Sequence, residues 1–303
     1  MRTLVAGWFS FEQMGATAGD LLVKDVACRW LAEAGHEVDV ALARPFTGGV
    51  DWRTVDPHDY ATVVFACGPF GNGDPVTELL DRFEHCRLVG LDVSMLEPLA
   101  VWNPFDVLVE RDSSRRATPD LAFASGGPRV PVVGVVLVHR QSEYVRSLHH
   151  VAEQAIDRLL ASREVALVRI DTRLDVPNAV GLRTPGEVES LIARMDAVVT
   201  TRLHGMVLAL KHGVPALAID PIGGGAKICA QIDAIGWPAG FTADELDDAR
   251  LSETLDWCLG SDARERARAC RERVMVVLEE RRLEFHEAML SGAAPAGATA
   301  RPP

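Results

Sequence analysis

The chain has 303 residues, more than one hydrophobic core usually organises, so we expect two domains. Its 48% hydrophobic and 24% charged residues are typical of a globular protein, which excludes global disorder. The formal net charge of -12 argues against a nucleic-acid-binding surface, because such a surface gathers basic residues against phosphates.

Neither a membrane span nor a secretory signal is predicted. No stretch approaches the roughly 18 consecutive apolar residues of a span, and the N-terminus leads directly into a strand pattern. We therefore expect a cytoplasmic protein. The six cysteines are scattered without a C-x-x-C pair, so we expect small core residues and neither a zinc site nor a disulfide framework.

Short apolar runs alternate with helical patterns through the first part of the chain. The first run is followed by a glycine-containing loop and an amphipathic segment at 20–34. Bounded by Gly, Asp or Pro, the strand-like runs are 3–7, 37–41, 61–66, 87–91 and 107–110. This order predicts a doubly wound parallel sheet, the N-terminal Rossmann-like domain of residues 1–125.

Turn-forming residues at 125–128 mark the domain boundary. Beyond it, strands are predicted at 130–138, 165–170, 197–200 and 216–220, and helices at 143–162, after the cap-like 184–187, and at 205–212. This alternation predicts a second Rossmann-like domain at 129–290, closed by helices from Leu251 to Leu290. Residues 291–303 are rich in Ala, Gly and Pro and predict a disordered tail.

The expected fold is therefore α/β, with two doubly wound parallel-sheet domains facing a cleft. In open parallel sheets, ligands bind beyond the carboxyl ends of the strands, where helix N-termini present free N–H groups. Polar and basic residues of this chain concentrate in those loops.

The most informative segment is 200–205, where a buried strand leads directly into an Arg-x-His sequence at the start of a helix. Arg202 and His204 thereby come to the positive end of a helix, where a guanidinium and free N–H groups suit an anion. The alternative is that Arg202 caps a carbonyl group and His204 is an ordinary core histidine.

The loop 223–227 follows the next strand and opens a helix. Its amides, those of Gly224 and Gly225 among them, are predicted to cradle a phosphate with Lys227 as a point charge. A permissive turn is the alternative. Neither this loop nor 15–19 matches a Walker A or dinucleotide fingerprint, so a dinucleotide cofactor is not expected.

Residues 200–205, followed by Gly-Val-Pro-Ala at 213–216 and by Lys227, resemble the signature of polysaccharide pyruvyl transferases. Weaker agreement at Gly19-Asp20 and at 111–114 extends the likeness along nearly the whole chain. The resemblance implies a glycosyltransferase-B-like pair of domains. It also implies transfer of a pyruvyl group from phosphoenolpyruvate to two hydroxyls of a sugar or polysaccharide precursor, which forms a cyclic ketal.

On this resemblance, Arg202 and His204 hold or protonate phosphoenolpyruvate, the donor substrate, while Lys227 and Arg140 meet its carboxylate or phosphate. No metal and no further cofactor is implied. Arg111 adds charge to the basic pocket that an acidic protein needs to attract an anion. Histidine side chains change charge near neutral pH and suit the proton transfer.

Other positions of the resemblance complete the predicted site. Thr201 and Gly205 belong to the donor signature, and Gly19 to the first loop. Asp20 and Asp112 would face the acceptor or order the cleft. Either Asp20, placed among the catalytic residues, or Asp112 would accept a hydroxyl proton, unless these carboxylates merely cap helices.

Two other functions fit the same architecture. A nucleotide-sugar-dependent glycosyltransferase or epimerase would bind a diphosphate at 223–227 and hold the ribose near Asp220. A non-catalytic glycan-binding relative would keep the fold without turnover. The expected partners are a small-molecule donor and a sugar acceptor, without nucleic acid; peripheral contact with a lipid-linked glycan and the oligomeric state stay open.

Overall fold

The computed structural model describes residues 2–138, 146–175 and 178–290. The chain divides into two compact units, unit 1 up to Pro128 and unit 2 from Arg129. The boundary predicted at 125–128 falls at the same place. The predicted tail, 291–303, lies outside the described residues.

Unit 1 is built around one parallel sheet. Its elements are β1 (Arg2–Ala6), α1 (Ala18–Glu33), β2 (Val38–Val40), β3 (Tyr60–Ala66), β4 (Pro69–Phe70), α2 (Val76–Arg82), β5 (Arg87–Leu91), β6 (Ser94–Met95) and β7 (Val107–Val109). Five strands lie in the order β2-β1-β3-β5-β7, each pair parallel. The short strands β4 and β6 pair separately.

Both faces of this sheet are covered. Along β1, Leu4 packs in one hydrophobic cluster and Val5 in another, and Val63 and Val64 divide in the same way along β3. Successive side chains of a strand point to opposite faces, so buried neighbours on both sides explain the continuous apolar runs in the sequence.

Unit 2 repeats the architecture. Its elements are β8 (Val132–Val136), α3 (His149–Ala161), β9 (Ala166–Arg169), α4 (Pro185–Ile192), β10 (Ala197–Thr200), α5 (Leu203–Lys211), β11 (Ala216–Asp220), α6 (Lys227–Ile235), β12 (Gly240–Thr242), α7 (Asp248–Cys258) and α8 (Ser261–Leu290). The strand order is β9-β8-β10-β11-β12, again all parallel.

The strand order in each unit reverses beside its first strand. This happens between β1 and β3 in unit 1 and between β8 and β10 in unit 2. The chain leaves such neighbouring strands toward opposite faces of the sheet, which opens a crevice at their carboxyl ends. The prediction of two doubly wound α/β domains is confirmed, while the cleft between them stays a prediction.

Some elements differ from those expected. Residues 146–148 are not helical and α3 begins at His149; the N–H of Leu148 donates to the Pro221 carbonyl at 2.8 Å. The predicted helix start at Glu143 lies outside the described residues. The helical segment up to Leu290 is two helices, α7 and α8. The sequence did not predict α2, β4, β6 or β12, since elements of two to seven residues carry little periodicity.

The helix α8 is anchored only by its first part. Ala263, Ala267 and Cys270 are buried, whereas most later side chains are exposed. Among the helices within residues 2–138, 146–175 and 178–290, none combines the length and the apolar character that a membrane crossing requires.

The predicted cap of α4 is present and provides a test of the sequence–structure link. Thr184 Oγ1 accepts a hydrogen bond from the Glu187 N–H at 3.2 Å, and the Glu187 carboxylate accepts one from the Thr184 N–H at 3.3 Å. We expect Thr184→Ala to lower the free energy of unfolding by about 1 kcal/mol, measured by urea denaturation. Thr184→Ser keeps the hydroxyl and should stay close to the wild type; equal losses in both variants would contradict this role.

Candidate functional site

A pocket of about 240 Å³ in unit 2 opens at the carboxyl ends of β8, β10 and β11. Its lining consists of Val138, Thr201, Arg202, Leu203, His204, Asp220, Pro221, Ile222, Ala226, Lys227 and Ile228. Arg202 and His204 follow β10, and Lys227 follows β11. The loops after two adjacent strands thus bring together four of the predicted donor-site residues, Thr201 among them.

Threonine side chains hold the turn after β10 against β8. Thr200 Oγ1 lies 2.8 Å from the carbonyl oxygen of Val136 and accepts a hydrogen bond from the Arg202 N–H at 2.9 Å. Thr201 Oγ1 accepts one from the Val138 N–H at 2.9 Å. The backbone that carries Arg202 is therefore tied to both strands at the switch point of the sheet.

Gly205 contributes close packing and is not among the lining residues of the pocket. A Cβ at this position would lie 2.3 Å from Thr200 Oγ1 and 2.9 Å from Val136 Cγ1. Only glycine lets the first turn of α5 approach β8 and β10 this closely. The structure gives Gly205 a steric role, which places Arg202 and His204; its part in substrate binding stays a prediction.

The guanidinium of Arg202 forms an ion pair with Asp171 but is not fully hydrogen-bonded. Its Nη1 atom is buried and has no hydrogen-bond partner among the described residues, and Asp171 Oδ1 lies 3.7 Å away. His204 is exposed, which excludes the alternative of a core histidine. A buried donor without a partner is the feature that a bound carboxylate or phosphate would satisfy.

The two helices that begin at the pocket differ at their N-termini. Asp220 is buried, and its Oδ2 atom accepts hydrogen bonds from the N–H groups of Ala226, Ile228 and Cys229 at 2.7, 3.0 and 3.2 Å. By contrast, none of the described side chains accepts a hydrogen bond from the first-turn amides of α5, whose N-cap is Arg202. The positive end of α5 is therefore the one open to an anion.

The predicted phosphate cradle at 223–227 is already filled by acceptors of the chain itself. The Gly224 N–H donates to Asp244 Oδ2 at 2.8 Å, and the Gly225 N–H donates to the Ile222 carbonyl at 2.9 Å. Both glycines have positive φ, as a tight turn requires. The permissive-turn alternative is the one that the structure supports, and Lys227 alone of this loop's predicted groups lines the pocket.

Arg140 lies outside the described residues. A basic residue not singled out from the sequence, Arg146, lies against the glycine turn. Its Nη2 atom would be 3.1 Å from a Cβ at Gly223 and is 3.6 Å from Asp244 Oδ2. The Arg146 side chain is 71% exposed, so it can move aside and does not by itself require glycine at position 223.

Unit 1 has its own pocket, of about 510 Å³, at the carboxyl ends of β1 and β3. The lining residues are Trp8, Met14, Gly15, Thr17, Gly19, Asp20, Cys67, Gly68, Pro69, Arg111 and Asp120. Of the predicted site residues, Gly19, Asp20 and Arg111 are among them and Asp112 is not. Asp120 lines the pocket as well, although the sequence had not singled it out.

Asp20 caps α1 and at the same time lines this pocket. Its Oδ2 atom accepts hydrogen bonds from the Thr17 N–H and from Thr17 Oγ1, both at 2.7 Å. The residue is 7% exposed. The capping alternative is thus realised, and it fixes the carboxylate beside the pocket.

Arg111 belongs to unit 1, where each of its three guanidinium nitrogens donates a hydrogen bond. It donates from Nη1 to Asp120 Oδ2 at 2.9 Å, from Nη2 to Ser94 Oγ at 2.6 Å and from Nε to Asp112 Oδ2 at 3.4 Å. Ser94 Oγ in turn donates to Asp112 Oδ2 at 2.5 Å. The structure places Arg111 in the lining of the pocket of unit 1, paired with carboxylates, and its predicted contribution to the donor pocket stays a prediction.

Two residues at the ends of neighbouring strands have left-handed backbone without being glycine. Cys67 follows β3 with φ 66°, and Asp92 follows β5 with φ 58°. Burial raises the pKa of the Cys67 thiol to about 12 and that of the Asp92 carboxyl to about 6. Such backbone is uncommon outside glycine and often accompanies functional sites.

Among the described residues, Cys67, Asp92 and Asp120 form a group that could hold a metal ion, with ligand atoms within 4.8 Å of one another. Arg111 Nη1 lies 2.9 Å from Asp120 Oδ2 and 3.7 Å from Cys67 Sγ. The guanidinium therefore supplies the positive charge at this place.

Residues 111–221 match the family model described as polysaccharide pyruvyl transferase. The matched segment contains Arg111, Asp112 and the whole of 200–205, so the resemblance noted from the sequence is confirmed over this part of the chain. Asp20 and Lys227 lie beyond it. A comparison with curated proteins gave no match.

Several solved structures are similar to the chain. Spinosyn rhamnosyltransferase SpnG, complexed with thymidine diphosphate, is 13% identical, with 91% of this chain and 96% of that chain covered and a TM-score of 0.32. Spinosyn forosaminyltransferase SpnP is 14% identical, with 93% and 99% covered and a TM-score of 0.31. UDP-GlcNAc 2-epimerase of Methanocaldococcus jannaschii, in complex with UDP-GlcNAc and UDP, is 9% identical, with 91% and 99% covered and a TM-score of 0.31.

The steric role of Gly205 predicts that an added methyl group displaces the start of α5. We expect Gly205→Ala to destabilise unit 2 by roughly 1–3 kcal/mol in urea denaturation, as overpacking of a filled site does. Gly186→Ala, on α4, is the matched control, because its Cβ would lie 4.0 Å from Thr184 Oγ1. A loss in the control as large as that in Gly205→Ala would show that the effect is not steric.

The raised pKa of Asp92 predicts a pH-dependent contribution to stability. Between its ordinary pKa of 3.8 and about 6, the folded state holds a proton that the unfolded state has released, so stability falls as pH rises through this window. Asn accepts left-handed backbone and cannot ionise. Since one pKa unit corresponds to about 1.4 kcal/mol, Asp92→Asn should gain on the order of 2–3 kcal/mol relative to the wild type between pH 4 and pH 7.

Urea denaturation across this pH range measures the difference. The control is Asp157→Asn, at an exposed position on α3. Its difference in unfolding free energy from the wild type should not change with pH. If the difference in unfolding free energy between Asp92→Asn and the wild type did not change with pH, the raised pKa of Asp92 would be contradicted.

Proposed function

We propose that the chain transfers a pyruvyl group from phosphoenolpyruvate to two hydroxyls of a sugar or polysaccharide precursor, and that the pocket of unit 2 takes the donor. The observation that carries this proposal is the buried Nη1 atom of Arg202, without a hydrogen-bond partner among the described residues, at a helix end that no described side chain caps. A small, highly charged anion suits a pocket of about 240 Å³ with these walls.

In this proposal, different residues of the chain bind the two anionic groups of phosphoenolpyruvate. Arg202 and the first amides of α5 bind its carboxylate or phosphate, because a guanidinium offers parallel N–H donors to either group. Lys227 meets the other anionic group from the start of α6. We also propose, as the sequence predicts, that Arg140 contacts the carboxylate or the phosphate of phosphoenolpyruvate.

His204 is the proposed acid. It donates a proton to the C3 methylene of phosphoenolpyruvate, which leaves C2 electron-poor and oxocarbenium-like. One acceptor hydroxyl oxygen bonds to C2 and gives its proton to a carboxylate, for which we propose Asp20. Phosphate then leaves with the C2–O electron pair, and the second hydroxyl bonds to C2 and loses its proton. The products are a cyclic ketal and inorganic phosphate, so the balance requires no oxidant and no metal.

The acceptor is assigned to the pocket of unit 1. Trp8 and Asp20 line it, and an aromatic face beside carboxylates suits a ring that carries hydroxyl groups. Asp112 supports this pocket through Arg111 and Ser94. We further propose that the protein is cytoplasmic and contacts a lipid-linked glycan peripherally.

The nucleotide-sugar alternative has less support from the contacts. It needs Asp220 for a ribose and the amides of 223–227 for a diphosphate. Asp220 instead accepts hydrogen bonds from amides of that loop and of α6, and Gly224 donates to Asp244. A nucleotide would have to displace these interactions, and displacing those of the buried Asp220 is costly because its carboxylate is charged.

Calorimetric titration with phosphoenolpyruvate and, separately, with uridine diphosphate tests the proposal. We expect Arg202→Gln to weaken phosphoenolpyruvate binding about ten-fold or more, because it removes charge-assisted hydrogen bonds. His204→Gln should change affinity only a few-fold while abolishing phosphate release in the presence of an acceptor.

The control is Arg183→Gln, which removes an arginine that is 84% exposed at the start of α4. It should bind as the wild type does. Binding of uridine diphosphate without binding of phosphoenolpyruvate would overturn the proposal. If Arg202→Gln binds phosphoenolpyruvate as tightly as the wild type does, the donor does not bind in the pocket of unit 2.

A further inference from the structure

The pocket of unit 1 has a charge that restricts which acceptor it can take. We propose that it binds a hydroxylated ring that is neutral or carries an amino group, and that it rejects sugars bearing a carboxylate. The inference rests on the proposed function for the assignment of the acceptor to this pocket. It adds the chemical class of that acceptor.

Carboxylates outnumber cations around this pocket. Asp20 and Asp120 are lining residues, and Asp112 bonds to the guanidinium behind them. Arg111 is the single basic residue in the lining. Three carboxylates against one guanidinium leave the wall with a net negative charge.

The guanidinium of Arg111 has no free edge for a bidentate contact with a substrate carboxylate. Nη1 is bonded to Asp120 and lies 3.7 Å from Cys67 Sγ, Nη2 is bonded to Ser94, and Nε is bonded to Asp112. Its side chain is only 25% exposed. To gain a bidentate contact with this guanidinium, an acidic sugar would have to break one of these hydrogen bonds, and it would still face the remaining carboxylates.

The positive end of α1 does not reverse this balance. Asp20 stands in the first turn of that helix, and its Oδ2 atom is bonded to the Thr17 N–H and hydroxyl. A carboxylate in the first turn offsets the partial positive charge of the helix end. The other wall residue with an ionisable group, Cys67, keeps a neutral thiol, because burial raises its pKa to about 12.

The same walls suit hydroxyl and ammonium groups. Carboxylates accept hydrogen bonds from hydroxyls and pair with ammonium ions. Trp8 is held in place by the hydrogen bond from its Nε1–H to the Pro69 carbonyl at 2.8 Å, and its ring lies against Gly68, where a Cβ would come within 2.2 Å of Cδ1. A fixed indole beside acceptor oxygens offers an apolar surface to one face of a sugar ring.

The test is direct binding to the full chain without phosphoenolpyruvate, by saturation-transfer NMR and calorimetry. The probes are methyl glycosides of glucose, galactose and mannose, each in its neutral, 2-amino and uronic-acid form. In at least one series we expect the neutral or amino form to bind about ten-fold or more tightly than the uronic form. Uronic forms that bind equally or more tightly, or no binding in any series, would overturn the proposal.

Charge-neutral variants show whether the preference arises in this pocket. Asp20→Asn removes one carboxylate and Asp120→Asn releases one edge of Arg111, so either should narrow the discrimination against the uronic form several-fold. Asp25→Asn, an exposed position of α1 paired with Lys24, is the matched control and should leave it unchanged. Discrimination that survives both site variants would place its origin elsewhere and refute the inference.

This experiment separates the inference from the function on which it rests. Arg202→Gln should weaken binding of phosphoenolpyruvate about ten-fold or more and leave the glycoside affinities unchanged. Failure of phosphoenolpyruvate to bind would refute the pyruvyl transfer alone. Preference for the uronic form, with phosphoenolpyruvate binding intact, would refute the acceptor class alone.

Discussion

The reversal of strand order within each parallel sheet is the constraint on which both candidate sites depend. At β1 and β3, and again at β8 and β10, neighbouring strands end side by side while the chain departs toward opposite faces of the sheet. Backbone cannot fill the space between those departures, so a crevice remains there. Both pockets lie in these crevices, and the loops that line them come from far apart in the chain.

The same scaffold serves opposite electrostatic purposes in the two units. In unit 2 a buried aspartate, Asp220, neutralises the start of α6, while the start of α5 and the guanidinium of Arg202 remain available. In unit 1 the carboxylates of Asp20 and Asp120 outweigh Arg111. A chain of net charge -12 thus concentrates attraction for an anion at one place and leaves the other pocket acidic.

Close approach and unusual backbone occur at the strand ends that form these pockets. Gly205 and Gly68 occupy positions where a side chain would collide with its neighbours. Cys67 and Asp92 hold left-handed backbone that the surroundings enforce, since the Cys67 N–H donates to the Leu91 carbonyl at 2.9 Å and the Asp92 carboxylate accepts from the Leu121 N–H at 3.2 Å. Fixed geometry of this kind is what places side chains accurately around a ligand.

Local patterns in the sequence were sufficient to predict the class of fold and the position of the domain boundary. They also predicted the capping box of α4 and the placement of Arg202 and His204 at the start of a helix. Each of these features depends on neighbours within a few residues. Contacts between distant segments decided the rest. The sequence could not show that Asp220 and Asp244 occupy the amides expected to bind phosphate, that Arg111 is paired in unit 1, or that Gly205 is demanded by Thr200 and Val136. A hydrogen bond or a steric limit has two partners, and only the folded chain brings the second partner within reach.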